Sequence, residues 1–327
     1  MYIVLRIWRT GEWKRTFYSV KEEANLNTLE KDYYIDASRN YFQFLIDSRQ
    51  WTGFGEKELK NWIDNFSEIN NGTYLACKFL NELIAYSEND MILMLKGAIS
   101  NILHKEIILP KQCENNFSSL KSDLEYDLKC ALQKTLFVPL SVNDAPGESG
   151  DAMIRLLTQK SGLPIKKQFQ FEICEDSSYD RIIIVDDCIG SGEQFTNFWN
   201  DAQIKNNINF RSWCMGNNIK VYYVVLVGYG ETIQELEEKF DNVEFVCVET
   251  LSNSHNVMNN LLKDEIFQKE KENLENYLLE LNIPFKGFDD LTFAIIIHNN
   301  IPDWTLPIFH KCRNEWEPLL RRKDSDV

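Results

Sequence analysis

The sequence lacks long hydrophobic runs, an excess of basic residues and closely spaced cysteines. Its longest apolar run, residues 221–227, is about a third of the roughly 20 residues that a membrane-spanning helix needs. Arg6, Arg9 and Glu12 interrupt any apolar core near the N-terminus, so no signal peptide is predicted. We therefore predict a cytoplasmic protein without membrane contact.

Basic residues are outnumbered by acidic ones, 35 to 50, which gives a formal net charge of −15. Contacts to nucleic acid phosphates need clustered Lys and Arg, so binding driven by overall charge is disfavoured. Hydrophobic residues make up 44% of the chain and aromatic residues 13%. Such a chain buries a core, which excludes a disordered protein. Its 327 residues are enough for two domains.

The cysteines are scattered and contain no C-x-x-C pair. Structural metal sites use closely spaced cysteines, and disulfide scaffolds are typical of short chains, so neither is predicted. Reduced thiols that pack as small apolar side chains are the simplest interpretation. The cysteines stand at positions 77, 113, 130, 174, 188, 214, 247 and 312.

The first part of the chain combines one hairpin pattern with several helical patterns. Residues 3–8 and 13–18 are rich in aromatic and aliphatic side chains and flank a glycine-bearing turn, which predicts a β-hairpin. From about residue 56 apolar residues recur at helical spacing, and a further helix is predicted to begin at Ser87 or Asn89. We predict a mainly helical, aromatic-rich domain over residues 1–112 with a partner-binding or regulatory role.

After about residue 115, short apolar runs alternate with helical stretches. Nearly continuous Ile and Val runs indicate strands buried on both faces of a parallel sheet. We therefore predict an α/β fold over residues 113–327, with a doubly wound, mostly parallel sheet. The predicted strands are 135–140, 169–173, 182–185, 221–227, 243–248 and 292–297, and the predicted helices are 149–161, 192–207, 232–240 and 263–281.

The segment 182–195, IIIVDDCIGSGEQF, contains the residues that point most directly to chemistry. Four aliphatic residues predict a buried strand, and alternation sends Asp186 and Asp187 to opposite sides at its end. Gly190 and Gly192 allow the backbone to aim N–H groups at one anion, and the following helix N-terminus adds partial positive charge. The carboxylates could bind hydroxyls or a metal, and the neighbouring backbone amides could bind phosphate. This combination suits a ribose 5-phosphate group.

Three other interpretations of this segment stay open. Response-regulator receivers also carry paired aspartates, although these follow the first strand of the domain. A dinucleotide-binding fingerprint has its glycines directly after the strand and no paired acids before them. In the simplest alternative, the acids and glycines only end a core strand and cap a helix.

The segment resembles the signature of the type I phosphoribosyltransferase superfamily, which is four apolar residues, two acids and a small Thr/Ser-Gly loop that binds phosphoribosyl pyrophosphate. The match covers residues 182–194 and departs at Glu193 and Gln194, where enzymes of that superfamily commonly carry Gly-Thr. A glutamate that faces a phosphate dianion repels it unless it points away or a metal intervenes. The variant looks closer to a divergent branch of phosphoribosyltransferase-like proteins associated with bacterial conflict and anti-phage systems, including retron effectors.

Two further segments are similar to that branch, so that the resemblance spans about residues 115–312. The first is residues 146–151, and the second is residues 298–307. By resemblance, the pyrophosphate loop would consist of Gly147, Glu148, Ser149 and Gly150. A plain helix start with Ser149 as N-cap is the alternative. Asn299 and Asn300, which follow a predicted strand, would line the same rim of the sheet.

The resemblance implies that the ligand is phosphoribosyl pyrophosphate or a nucleotide, with Mg²⁺ as cofactor. Asp186 and Asp187 would be the catalytic pair and would bind ribose hydroxyls directly or through magnesium. The 5′-phosphate would be held by Gly190, Ser191, Gly192, Glu193 and Gln194. We expect a phosphoribosyltransferase-like effector of an anti-phage system that acts by N-glycosidic transfer or cleavage. We expect the effector to be toxic when it is released. Until then, a protein or ribonucleoprotein partner, such as a retron reverse transcriptase complex, would restrain it.

Two alternatives belong to other functional classes. Glu193 and Gln194 favour a catalytically inactive nucleotide sensor that keeps the same pocket and signals through partner contacts. In the other alternative, residues 1–112 bind nucleic acid through a winged-helix-like arrangement, because the predicted hairpin carries several basic residues. Those residues are Arg6, Arg9, Lys14 and Arg15.

Overall fold

The computed structural model describes residues 2–9, 12–19, 28–110, 121–141, 149–313 and 316–322. The strands are β1 Tyr2–Arg9, β2 Glu12–Ser19, β3 Ile84–Tyr86, β4 Thr135–Pro139, β5 Lys166–Lys167, β6 Arg181–Ile189, β7 Gln203–Ile204, β8 Ile208–Asn209, β9 Lys220–Tyr229, β10 Val243–Leu251 and β11 Ile295–Ile297. The helices are α1 Thr28–Asp47, α2 Glu56–Asp64, α3 Gly72–Asn81, α4 Glu88–Leu103, α5 Lys121–Gln133, α6 Ser149–Lys160, α7 Glu193–Asp201, α8 Phe210–Gly216, α9 Gly230–Lys239, α10 Val257–Leu261 and α11 Glu265–Glu280.

The central sheet is parallel throughout and has the strand order β10-β9-β6-β4-β5. The chain therefore passes from β4 outward to β5 and then returns to the other side of β4 with β6. In doubly wound sheets such a reversal opens a crevice beyond the carboxyl ends of the two strands where it occurs, and ligands bind there. Here those strands are β4 and β6.

Helices cover both faces of this sheet. The face that presents Ile183 and Val185 packs against α4, α5 and α6. The face that presents Ile182 and Ile184 packs against α7, α8 and α9. All four of these β6 residues have no exposed surface, because side chains on alternate faces both meet a helical layer. The predicted α/β fold with a doubly wound, parallel sheet is confirmed.

The remaining helices share one core with the last part of the chain. The side chains of α2 and α3 pack with those of α10, α11 and residues 294–319. Trp62 of α2 stacks on Phe309 with ring centroids 5.1 Å apart, and its indole nitrogen donates to the Ile308 carbonyl at 2.7 Å. The predicted division between residues 112 and 113 stays a prediction, and these contacts cross it.

The predicted hairpin is confirmed, because β1 and β2 pair antiparallel with Trp8 opposite Trp13. The helix predicted to begin at Ser87 or Asn89 is α4. Ser87 is its N-cap, and the Ser87 hydroxyl accepts a hydrogen bond from the Asp90 amide. Helix α1 was not predicted, because aromatic side chains lie on its exposed side as well as its buried side. The exposed ones are Tyr33, Tyr41 and Phe44.

Three predicted elements are wrong in type, length or placement. Residues 169–173 form a 3-10 turn, Gln170–Glu172, because the Glu172 carboxylate accepts from the Phe169 amide at 2.8 Å and bends the chain. The predicted helix 192–207 ends at Asp201, where the short β7–β8 hairpin begins. The predicted strand 292–297 is confined to β11, which pairs with β3 in a separate two-stranded sheet.

Most other predicted elements agree with the structure within a few residues. In the described part of the chain, none of the helices combines the length and the apolar character of a membrane-crossing segment.

Gly150 permits the close approach of α6 to the ends of β4 and β6. A Cβ at this position would lie 2.5 Å from the Val185 carbonyl oxygen and 2.8 Å from the Leu140 amide nitrogen. Because both atoms belong to backbone, we expect Gly150→Ala to lower the free energy of unfolding by roughly 1–3 kcal/mol. Urea denaturation would measure the change.

Gly97→Ala is the matched control. Gly97 lies in α4, and beyond its chain neighbours and the backbone of the helix itself an added Cβ would have no heavy atom within 4 Å. Alanine removes backbone freedom from the unfolded chain there, so we expect a gain of about 0.5–1 kcal/mol. Equal effects of the two substitutions would contradict the close approach at Gly150.

Candidate functional site

Asp186 and Asp187 lie inside β6, although the sequence predicted that the strand ends at Val185. Strand β9 continues to pair with β6 as far as Ile189, whereas β4 ends at Pro139, opposite Val185. The two acids therefore occupy the stretch of β6 that has a neighbouring strand on one side only. This stretch is the reversal point of the sheet, where a ligand-binding crevice is expected.

The carboxylate of Asp186 accepts three hydrogen bonds from the protein. The Ser149 hydroxyl donates to its Oδ1 at 2.5 Å, the Asp187 amide donates to the same oxygen at 2.9 Å, and the Tyr223 hydroxyl donates to Oδ2 at 3.2 Å. The side chain is 2% exposed. Burial first, and the neighbouring Asp187 charge second, raise the pKa of Asp186 well above its usual range.

Asp187 points to the opposite face of the sheet, as alternation along the strand predicts. The residue is 3% exposed, and its Oδ2 accepts a hydrogen bond from the side-chain Nδ2 of Asn300 at 2.7 Å. Within the described residues, no Lys, Arg or His lies within ion-pair distance of Asp186 or Asp187. Two adjacent buried carboxylates without a cation form a site that favours an incoming positive charge.

The Gly-Ser-Gly loop follows these acids and leads into α7. Gly192 adopts a left-handed conformation, with φ of +74°, and is the N-cap of α7. A Cβ on Gly190 would come within 2.7 Å of the Trp304 ring, so the indole lies directly against this glycine. Trp304 is buried, so its ring belongs to the core. The Glu193 amide donates to the Ser191 hydroxyl at 3.4 Å.

Glu193 and Gln194 form the first turn of α7, and both are exposed. The loop from Gly190 to Gln194 therefore combines a left-handed glycine with a helix N-terminus, as the phosphate interpretation requires. The carboxylate of Glu193 is at the same end of the helix.

The predicted pyrophosphate loop is described only in part. Gly147 and Glu148 lie outside the described residues, whereas Ser149 and Gly150 begin α6. The hydroxyl of Ser149 donates to Asp186, so the start of α6 is tied to the middle of β6. In the same helix turn, buried Asp151 makes ion pairs with Lys167 and Arg155, which sequence reasoning did not place near the site.

The loop after β11 brings only one of its two asparagines to the acids. His298, with φ of +54°, turns the chain, and Asn300 then reaches Asp187. Asn299 instead donates to the His298 ring at 2.9 Å, and its Oδ1 lies beside Gly53 in the loop before α2. His298 itself contacts Thr52 and Glu88.

Tyr223 was missed as a site residue, because residues 221–227 were interpreted only as a core strand. It lies in β9, opposite Ile184 of β6, and its ring stacks on Phe195 at 4.4 Å. A tyrosine buried in a mostly aliphatic strand needs a partner for its hydroxyl. That requirement was the signal available in the sequence.

Cys188 lies in β6, directly after the two acids. Burial first, then the charges of Asp187 and Asp186, raise the pKa of its thiol well above the usual range. The thiolate is the nucleophilic form of cysteine, so this environment opposes reactivity.

One carboxylate of the pair fits the needs of magnesium. Mg²⁺ is held in proteins by one or two carboxylates together with water and the phosphates of a ligand. Among the described residues, no group of three or more His, Cys, Asp or Glu side chains could hold a metal. The oxygens of Asp186 already accept three hydrogen bonds, which leaves Asp187 as the carboxylate that fits an ion shared with a phosphate ligand.

Asp186→Asn tests whether the buried charge destabilises the fold. Folding raises the pKa of Asp186. The contribution of Asp186 to the stability of the folded state is therefore fully present below its pKa in the unfolded chain and is lost as pH rises through its pKa in the folded state. Asparagine does not titrate, so the variant does not lose stability in this way. We expect its melting temperature to exceed that of the original chain by a few degrees at pH 8, with the difference shrinking toward pH 4.

Asp241→Asn, at an exposed acid, controls for the change in net charge. Differential scanning fluorimetry between pH 4 and pH 8 would follow all three proteins. A difference that does not vary with pH, or a less stable Asp186→Asn variant at pH 8, would contradict the assignment.

Comparison with known proteins gives a family for this arrangement. Similar solved structures include orotate phosphoribosyltransferase from Aeropyrum pernix, with a TM-score of 0.26 and 17% identity over 41% of this chain and 67% of that chain. The AQ2163 protein from Aquifex aeolicus has a TM-score of 0.25 and 17% identity over 36% of this chain and 55% of that chain. No curated protein matches.

The family comparison covers most of the chain. The model of the PRTase-CE family matches residues 59–322, a span that contains the whole central sheet, both aspartates, the Gly-Ser-Gly loop and the asparagine loop after β11. The protein therefore belongs to the PRTase-CE family.

Proposed function

We propose that the chain binds phosphoribosyl pyrophosphate or a nucleotide at the carboxyl ends of β4 and β6. The observation that carries the proposal is the meeting of Asp187, the left-handed Gly192 and the N-terminus of α7 at the reversal point of the sheet. Carboxylates there suit ribose hydroxyls or magnesium, and the helix N-terminus suits phosphate. Membership of the PRTase-CE family supports a phosphoribosyltransferase-like function.

The finer proposal is N-glycosidic transfer or cleavage. In transfer, the C1–oxygen bond to pyrophosphate breaks, pyrophosphate leaves with the electron pair, and a nucleobase nitrogen bonds to C1 and gives its proton to solvent. In cleavage, the C1–nitrogen bond of a nucleotide breaks, the base leaves with the electron pair and takes up a proton, and a water oxygen bonds to C1 and gives up a proton to solvent. Both pass through a positively charged sugar ring, which buried carboxylates stabilise.

Each group in the site would have a limited task in either reaction. Asp187 would hold Mg²⁺ together with the ligand, and the ion would neutralise the charge that develops on the leaving phosphate groups. The amides at the start of α7 would hold the 5′-phosphate, with Ser191 beside them. Asp186, through Ser149, would fix the start of α6 against the sheet.

The biological role that we propose is that of a cytoplasmic effector in a bacterial anti-phage system. The activity would be toxic when released and restrained by a protein or ribonucleoprotein partner, such as a retron reverse transcriptase complex. The support is the sequence similarity of the segments 146–151, 182–194 and 298–307 to that branch, together with a helical part that the chemistry does not require.

A nucleotide sensor without catalysis is the second candidate, and two observations favour it. Three donors of the protein itself already bind the carboxylate of Asp186. The carboxylate of Glu193 stands in the first turn of the helix that would receive the phosphate. A sensor would bind the ligand without turnover and change its contacts with a partner.

Asp187→Asn tests the binding site directly. We expect the binding of phosphoribosyl pyrophosphate with Mg²⁺, measured by calorimetry, to weaken at least about tenfold. This factor corresponds to a loss of roughly 1.4 kcal/mol of binding free energy. Growth inhibition on expression would be lost in the double variant Asp186→Asn, Asp187→Asn, and nucleotide pools would stay at control levels. Asp241→Asn should behave as the original chain.

The two candidates give different results in the same experiment. Ligand binding with product formation supports the enzyme, and ligand binding with unchanged ligand supports the sensor. If the double variant inhibits growth as strongly as the original chain, the enzyme proposal is wrong. If no phosphoribosyl ligand binds, both candidates fail.

A further inference from the structure

The two edges of the central sheet are protected to different degrees. One edge is β5, which has only two residues, Lys166 and Lys167. Short edge strands and lysine side chains keep a sheet edge from pairing with another chain. The other edge is β10, which has nine residues, VEFVCVETL, and contains no lysine, arginine or proline. The features that protect β5 are therefore missing from β10.

The outer side of β10 offers backbone groups to a further strand. From Glu244 to Leu251, the described main chain forms hydrogen bonds with β9 and none with any other part of the described main chain. A strand that pairs on one side only leaves part of its N–H and C=O groups directed away from the sheet. An extended segment can add to such an edge through main-chain hydrogen bonds.

The apolar side chains of β10 are also incompletely covered. In the neighbouring β9, residues 221–228 are all buried, whereas residues 245–247 of β10 are only half-buried. Val248 is 41% exposed. A strand laid along β10 would remove more of this apolar surface from water, which favours association.

The charge of β10 selects the kind of strand that fits it. Glu244 and Glu249 lie in the strand, Asp241 lies just before it, and residues 241–251 contain no basic residue. The exposed ion pair of Glu244 with Lys105, at 3.4 Å, offsets little of this charge. Like charges on paired strands are destabilising, so a second β10 is a poor partner. A basic strand that is rich in apolar residues fits better.

The β1–β2 hairpin of this chain has that composition. Six of the eight residues of β1 and three of the eight residues of β2 are aliphatic or aromatic. Each strand is thus close in length to the nine residues of β10. The hairpin contains a single acidic residue, Glu12, and four basic residues, which are Arg6, Arg9, Lys14 and Arg15.

The hairpin is incomplete as a sheet of its own. It forms a separate two-stranded sheet, and no other strand of the described chain joins it. An isolated two-stranded hairpin is only marginally stable in water. Its register also places Arg6 opposite Arg15, and like charges in directly opposite positions destabilise a strand pair. An acidic third strand would extend the sheet and offset this repulsion.

We propose that two copies of the chain form a closed dimer in which the hairpin of each copy adds to β10 of the other copy. Within one copy the hairpin does not join the central sheet, so a second molecule supplies the strand that pairs with β10. The exchange is reciprocal, which gives the dimer two-fold symmetry and pairs both β10 edges. This assembly does not depend on the proposed function.

An exchange of charges between the two surfaces tests the dimer. One full-length variant carries Arg6→Glu and Arg15→Glu in the hairpin, and the other carries Glu244→Lys and Val248→Lys in β10. Analytical ultracentrifugation would give the dissociation constant of the dimer for the original chain, for each variant alone and for an equimolar mixture of the variants.

We expect each variant alone to dimerise at least about tenfold more weakly than the original chain. New glutamates in the hairpin would meet an acidic β10, and new lysines in β10 would meet a basic hairpin. In the mixture, the new glutamates of one copy meet the new lysines of the other, and the second junction keeps its original residues. The mixture should therefore dimerise at least about tenfold more tightly than either variant alone.

The matched control is Glu272→Lys together with Leu279→Lys, because these two residues are exposed on α11. This variant should dimerise as the original chain does, and circular dichroism melts would establish that every variant is folded. The dimer is wrong if the original chain is a monomer at high micromolar concentration. It is also wrong if either folded variant alone dimerises like the original chain, or if the mixture dimerises no better than its components. Each of these results leaves the proposed function intact, since ligand binding at Asp187 is measured separately.

Discussion

The buried carboxylate of Asp186 holds together the part of the molecule on which everything else depends. It receives hydrogen bonds from the start of α6 through Ser149, from β9 through Tyr223 and from the β6 backbone itself. Three elements are thus fixed at the point where the sheet reverses direction. The positions of Asp187, of the Gly-Ser-Gly loop and of α7 follow from that junction.

This junction is an unfavourable place for a charge. Burial and the adjacent Asp187 both raise the pKa of Asp186, and no cation among the described residues balances the pair. Buried polar groups that cost stability are usually retained where they serve binding or catalysis. The structure satisfies Asp186 with neutral donors rather than with a cation, so the pair has no positive partner of its own among the described residues.

Much of this site was predictable, because it depends on local sequence rules. Four aliphatic residues before two acids specify a buried strand, and glycine at 192 specifies the left-handed turn into α7. Contacts between distant segments were not predictable in the same way. Tyr223, Asn300 and the pairing of β11 with β3 depend on how elements far apart in sequence come together. The 3-10 turn at residues 170–172 was missed because a side chain–backbone bond from Glu172 overrode the apolar pattern.

The asparagine loop after β11 connects two parts of the molecule mechanically. The His298 amide donates to the Tyr86 carbonyl at 2.7 Å, and the His298 ring contacts Thr52 and Glu88. Two residues later, the Asn300 side chain donates a hydrogen bond to Asp187. The loop thus links the helical layer to the acidic pair. A displacement of Thr52 or of the beginning of α4 would therefore reach the Asn300–Asp187 hydrogen bond through this one loop, although both segments lie far along the chain from the phosphate-binding candidates.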